Sequence, residues 1–242
     1  MMRTRAPLLV LRTGDPVSAV AERRGSFFDL FRETVGDAWD GEWREVDLRE
    51  DDVLHLPRCA AAIITGSAAS VADRAPWTLR AEAWLRHAVL HGVPVLGVCY
   101  GHQMLAQALG GLVQRNPRGR EMGTVTVTRE PASDDDPLFA GFPRAFSVNM
   151  SHVDSAIVAP RGATILARTA LEPHAAFRVR PLVYGVQYHP EFDADVMRGY
   201  VSARAETIRQ EGLDPEALLA GAATCPWGAE TLRRFVSLVA AR

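Results

Sequence analysis

Residues 92–111 read GVPVLGVCYGHQMLAQALGG. Val93, Val95, Leu96 and Val98 form a short, β-branched apolar run of the kind that suits a parallel strand buried on both faces, and Gly92-Val93-Pro94 marks its start. The period then changes: Met104, Leu105, Ala108 and Leu109 recur at helical spacing, and Gly110-Gly111 ends the helix. The turn between strand and helix is Gly97-Val98-Cys99-Tyr100-Gly101, so a cysteine sits at the bend itself. Flanking glycines relieve crowding in a sharp strand-to-helix turn that pushes the central side chain outward. The first free N–H groups of the following helix face the sulfur, and their partial positive charge favours thiolate over thiol. On these residues alone Cys99 is either an activated nucleophile or a buried cysteine in a βα turn.

Upstream, Pro7–Leu11, Trp43–Leu48 and Ala60–Thr65 read as strands. One helix is expected to carry Val20, Phe27, Phe28, Leu30 and Phe31, and a second, opened by Pro76, to align Trp77, Ala81, Trp84, Leu85 and Ala88. This alternation predicts an α/β fold: a doubly wound, mostly parallel sheet with helices on both faces and ligands at the carboxyl ends of its strands. After Gly111 the segments shorten. Thr124–Thr128, Ala145–Val148, Ala156–Val158, Thr164–Ala167, Ala175–Val179 and Leu182–Val186 predict a small, largely antiparallel strand region. From Asp193 onward the pattern is helical, and Leu232, Phe235, Val236 and Val239 give the terminal helix one apolar face.

The 242 residues can build a sizeable core, and 48% hydrophobic with 23% charged residues is ordinary for a globular chain. A formal net charge of −2 gives no electrostatic reason to expect nucleic acid or an anionic membrane as partner. Leu8–Leu11, behind a basic N-terminus, is too short for a signal-peptide core, and no stretch approaches a membrane span. Three cysteines, Cys59, Cys99 and Cys225, show no paired metal spacing and fit a reducing, cytoplasmic setting better than a disulfide framework. His87 and His91 stand four apart on a helix, but no carboxylate or cysteine follows at useful spacing, so no metal is expected. Cys59 and Cys225 read as structural, and Asp134-Asp135-Asp136-Pro137 as a solvated turn.

A thiol that hydrolyses an amide needs a base that later acts as an acid, and donors for the oxyanion. His189 lies just beyond the apolar strand Leu182–Val186, on the rim of the sheet expected for Cys99. Taken alone it is a candidate base or a loop histidine satisfied by the backbone.

Two segments in the correct order resolve these choices. GVCYGHQMLAQALGG resembles the nucleophile segment of class I glutamine amidotransferases of the Cys-His-Glu type, and GVQYHPEF at Gly185–Phe192 resembles their His-Glu segment. Within that family the likeness is greatest to the amidotransferase domains of GMP synthases, in a standalone form. The resemblance implies a flavodoxin-like fold and a triad of Cys99, His189 and Glu191. It implies an oxyanion hole from the backbone N–H groups of Ser67 and Tyr100, and a glutamine pocket with Gly66, Gln103, Ser151 and His152. Two positions depart from the family pattern. Ser67 stands where the family has the second glycine of a pair, which predicts a loop less free to adopt its active conformation, and Val153 replaces the glycine of a Ser-His-Gly-Asp stretch.

The resemblance covers about residues 60–192, so residues 1–192 are expected to form the amidotransferase domain, with 193–242 a helical extension packed on it. The implied activity is ammonia release from glutamine through a cysteinyl glutamyl thioester, with no cofactor. No phosphate-cradling glycine loop is present, so either a separate synthase subunit binds the chain and accepts the ammonia, or the chain acts alone. Two alternatives stand beside this: a standalone γ-glutamyl hydrolase or peptidase acting on a γ-glutamyl compound with the same triad, and a silent binding or regulatory module of the same fold.

Overall fold

The structure is a computed structural model that describes residues 5–50 and 58–242. The first half of the chain follows the alternation read from the sequence, with one difference. β1 (Leu8–Arg12) leads into two helices, α1 (Ser18–Arg24) and α2 (Phe27–Val35), where the sequence reading had one. Gly25 adopts φ 80°, and Ser26 begins a new helix with a capping box: its side chain accepts from the Asp29 N–H while Asp29 accepts from the Ser26 N–H. β2 (Trp43–Asp47), β3 (Ala61–Ile64), α3 (Pro76–Leu90), β4 (Val95–Val98) and α4 (Tyr100–Ala108) follow.

The second half contributes β5 (Leu112–Arg115), β6 (Glu121–Arg129), β7 (Ala145–His152), β8 (Asp154–Val158), β9 (Thr164–Arg168), β10 (Ala176–Arg180) and β11 (Val183–Val186). Four helices close the chain: α5 (Ala194–Ala203), α6 (Ala205–Gln210), α7 (Pro215–Gly221) and α8 (Pro226–Ala240). The sequence reading missed β5, which buries only Val113 and so lacks an alternating signal, and it ended β7 four residues early, at Val148.

Nine strands form one sheet in the order β2-β1-β3-β4-β11-β10-β9-β6-β7. β2, β1, β3, β4 and β11 pair in parallel, and the remaining partners are antiparallel. Only β10 and β6 therefore oppose the common direction. The antiparallel strands continue the main sheet and do not form a separate region; only β5 and β8 make a second, two-stranded sheet.

Strand alternation divides the core between the two faces. Leu8, Val10, Ile63, Leu96 and Val98 point to the face covered by α2, α5 and α8, while Leu9, Leu11, Ile64 and Val95 point to the face covered by α3 and α4. Being buried on both sides is what made these strands read as continuous apolar runs. The predicted face of α8, Leu232, Phe235, Val236 and Val239, lies wholly in the first of these cores, against α2 and β7. The C-terminal helices thus share the core of the sheet.

Among the described residues no helix is long and apolar enough to cross a membrane. Asp134, Asp135 and Pro137 of the acidic turn are exposed as expected, but Asp136 is a correction. Asp136 is buried, accepts from the Leu138 N–H at 2.9 Å and faces the Arg178 guanidinium at 2.9 Å, so β10 supplies the charge that allows an aspartate to leave water.

Candidate active site

β4 and β11 are adjacent and parallel with Val98 opposite Val186, so their carboxyl ends open on the same rim. Cys99 follows β4 directly, and its N–H donates to the Val186 carbonyl at 2.9 Å. It has φ 51° and ψ −101°, a left-handed backbone that a residue with a Cβ adopts at a cost of about 1–3 kcal/mol, so the surrounding contacts must hold it there. The flanking glycines make the bend possible. A Cβ on Gly97 would lie 2.4 Å from the Gly101 carbonyl oxygen, and one on Gly101 would lie 2.5 Å from that of Ile64. Helix α4 is anchored from outside by Tyr100, whose hydroxyl bonds that of Thr78 at 2.9 Å while its ring stacks on Trp77.

Three residues beyond β11, His189 is buried, and its ring and the Cys99 side chain both pack against Gly66. Its Nδ1 donates to Glu191 Oε1 at 2.7 Å. Phe192 stacks on the ring at 4.0 Å, and the His189 N–H donates to the Asn149 carbonyl of β7. Burial would lower the imidazole pKa, but the charges of Glu191 and Cys99, with the hydrogen bond to Glu191, outweigh it, and the group is pushed up to about 10. Asn149 also ties this loop to the C-terminal helices, donating to the carbonyls of Phe192 and Ala223.

Gly66 packs against the imidazole: a Cβ there would meet His189 Cε1 at 2.7 Å. Its carbonyl accepts from the buried Thr13 hydroxyl, which also reaches the Thr65 carbonyl, so the end of β1 pins the loop after β3. Neither Ser67 nor Val153 has a positive φ. Side chains at these two positions therefore introduce no left-handed strain in this conformation. Ser67 Oγ accepts from the Ala69 N–H at 3.1 Å. Among the described residues the backbone N–H groups of Ser67 and Tyr100 donate to no other residue. They remain available to a ligand.

A cavity of about 300 Å³, a size suited to a small molecule, opens over Cys99. Ser67, Gln103, Ser151, His152, Val153 and Asp154 all line it. Gln103 Nε2 donates to the Asp154 carbonyl at 2.8 Å and to Gln187 Oε1 at 3.1 Å, so its amide is oriented by two acceptors. Ser151 presents its carbonyl 3.9 Å from the Cys99 sulfur. The His152 ring is turned inward. Its Nδ1 meets the Asp154 carbonyl at 2.9 Å and its Nε2 meets Glu121 Oε2 at 3.1 Å, so both nitrogens are occupied within the protein.

Gln187, Thr13 and three arginines, Arg115, Arg120 and Arg204, complete this surround and were absent from the sequence reading. Of these only Gln187 lies within a motif, the GVQYHPEF segment. The arginines belong to no motif. His87 and His91 lie at the far end of α3, and among the described residues no group of three His, Cys, Asp or Glu side chains could hold a metal ion. Burial pushes the thiols of Cys59 and Cys225 up to about 11, which suits unreactive structural cysteines.

The family model described as "Glutamine amidotransferase class-I" matches residues 45–203. A protein of Aeropyrum pernix named GMP synthase [glutamine-hydrolyzing] is 41% identical over 136 residues, covering 56% of this chain and 25% of that protein. One of the same name from Parafrankia sp. is 40% identical over 187 residues, covering 76% of this chain and 31% of that protein. The chain thus spans only a quarter to a third of the length of these curated relatives. A glutamine amidotransferase structure from Thermotoga maritima superposes with a TM-score of 0.72 at 24% identity over 97% of both chains, a likeness of fold.

Proposed function

The chain belongs to the class-I glutamine amidotransferase family, and from that premise we propose that it hydrolyses the side-chain amide of glutamine, with Cys99 as nucleophile, His189 as acid and base, and Glu191 as the group that orients His189. The observation that carries this reading is the 2.7 Å Glu191–His189 hydrogen bond, with the imidazole and the Cys99 side chain both packed against Gly66 beside a small polar cavity that Cys99 lines.

The Cys99 thiolate attacks the amide carbon, and the carbonyl electrons move onto oxygen. That oxyanion meets the unengaged N–H groups of Ser67 and Tyr100. Protonated His189 gives its proton to the amide nitrogen as the C–N bond breaks, releasing ammonia and leaving a glutamyl thioester. Neutral His189 then takes a proton from water, whose oxygen attacks the thioester. Collapse of the second tetrahedral intermediate releases glutamate and restores the thiolate. Glu191 holds the His189 tautomer through Nδ1 and supports the imidazolium that each cycle forms. The ammonia is then passed to a synthase partner, the use suggested by relatives named GMP synthase [glutamine-hydrolyzing].

The test is ammonia release from glutamine by the purified chain, beside glutamate release from γ-glutamyl dipeptides. Glutamine turnover that disappears in Cys99→Ala is the expected result. Dipeptide cleavage without glutamine turnover would replace the reading with a γ-glutamyl hydrolase. Glutamine binding without turnover, with or without an added synthase subunit, would make the chain a silent module.

A further inference from the structure

The cavity over Cys99 is closed on one side by residues from outside the matched family region. Arg204, at the junction of α5 and α6, lines it directly, and Glu211, just after α6, grips Arg120, which also lines it. The three arginines of this wall differ in what they already hold. Arg120 binds Glu211 through Nε at 2.5 Å and Nη2 at 3.1 Å, and is thereby satisfied. Arg115 is largely exposed and leans toward the same carboxylate at 3.6 Å.

Arg204 is half-buried, stacks on Tyr200 at 4.8 Å, and has no carboxylate partner among the described residues. Its Nη1 is buried with no hydrogen bond at all. A guanidinium held in place by ring stacking, partly removed from water and left unpaired is an anion site in waiting, because leaving a buried donor unmet is costly. The charge balance agrees. Asp154 within the lining and Glu211 behind it offset two of the three arginines, leaving one positive charge beside the nucleophile. Burial lowers the Arg204 pKa, and Arg120 adds to this by repulsion, while the charge of Cys99 acts in the opposite sense.

We infer that Arg204 is a specificity-determining residue that receives the α-carboxylate of the glutamyl substrate, so that the C-terminal helices select for a free amino-acid carboxylate at the reacting centre. This assignment rests on the proposed chemistry at Cys99 for the direction in which the substrate lies. It makes the extension part of the substrate site. A γ-glutamyl group whose α-carboxylate is blocked is then excluded even where its side-chain amide is intact.

The experiment compares L-glutamine with its α-amide, in which the carboxylate is replaced by a neutral group. Calorimetric binding to Cys99→Ala is measured with and without Arg204→Gln. The expected result is about a tenfold to hundredfold loss of glutamine affinity in Arg204→Gln, with the affinity for the α-amide changed less than about twofold. Arg204→Lys, which keeps the charge and the stem but not the planar fork, should fall between. In the otherwise unaltered enzyme, Arg204→Gln should raise KM for glutamine with kcat within about threefold.

Equal loss for both ligands, or no loss for glutamine, overturns the assignment. Thermal unfolding of each variant guards against misfolding, and a Lys variant that is fully folded yet binds both ligands equally poorly also counts against it. If the carboxylate preference depends on Arg204 but the enzyme releases no ammonia, the hydrolase reading fails and the Arg204 assignment stands. If ammonia is released and the preference does not depend on Arg204, the reverse holds.

Discussion

His102 and His189 are both buried, both flank the cysteine elbow, and titrate in opposite directions. His102 sits inside α4 against the ring of Phe177, with no carboxylate in contact among the described residues. Burial, with repulsion from His174 and His152, pushes it down to about 3, so it stays neutral. His189 is equally removed from water but is flanked by Glu191 and Cys99, and is pushed up to about 10. The lesson is that burial sets only the cost of charging an imidazole. Whether it charges depends on what the neighbouring strand ends supply.

The largest effect expected from breaking this contrast is on turnover. His189→Gln should lower kcat for ammonia release by about 10²–10⁴-fold, the usual worth of a positioned acid–base group, whereas His102→Asn should alter thermal stability more than kcat. A comparable loss of kcat in a fully folded His102→Asn would show that the two histidines are not functionally distinct.

Gly66→Ala tests the geometry of His189 while leaving both of its charge partners, Glu191 and Cys99, chemically unchanged. The added methyl would stand 2.7 Å from Cε1, so the ring must shift, and a displacement approaching 1 Å is expected to cost about 10²-fold in kcat at nearly unchanged unfolding temperature. Wild-type kcat in this variant would mean that the ring position is not critical.

The smallest effect is on pH dependence, and its sign follows from the two shifts. A pKa raised to about 10 means that His189 adds stability that is fully present below its ordinary value near 6.5 and is lost as pH rises through about 10. A pKa lowered to about 3 means that His102 stabilises the fold above 6.5 and that this contribution is lost as pH falls toward 3. Glu191→Gln keeps a hydrogen-bonding oxygen but removes the charge. Its unfolding temperature should decline at lower pH on the alkaline side than that of the wild type, while the acid limb set by His102 stays in place. Thermal unfolding from pH 5 to 11 reads both limbs, and an unmoved alkaline limb would show that Glu191 is not what raises His189.

The elbow was legible because its causes are local: a change from strand to helix period, and a glycine at position 97, where a Cβ would stand 2.4 Å from the Gly101 carbonyl oxygen. His189 was legible as a rim residue because a short apolar strand announces where the chain leaves the sheet. Glu191 was legible only through the family resemblance, since two residues of spacing do not say which way a carboxylate turns. The division of α1 from α2 was written in Ser26 and Asp29 but was overridden by the continuity of Phe27, Phe28, Leu30 and Phe31. Asp136 read as solvated because its counter-charge, Arg178, lies more than forty residues away.

From the order of its residues alone, this chain determined an α/β sheet, the strained turn that presents Cys99, and the edge of the sheet to which His189 returns, because each depends on periodicity or on sterics between near neighbours. Tertiary structure alone decided that β11 lies beside β4, which brings His189, hydrogen-bonded to Glu191, next to Cys99 and sets the proton affinity of the imidazole. It also turned His152 inward onto Glu121 and brought Arg204 from the last helices to the cavity wall with a donor unmet. Such long-range pairings are chosen by the burial of whole faces and by the charges they bring together, and no local pattern encodes them.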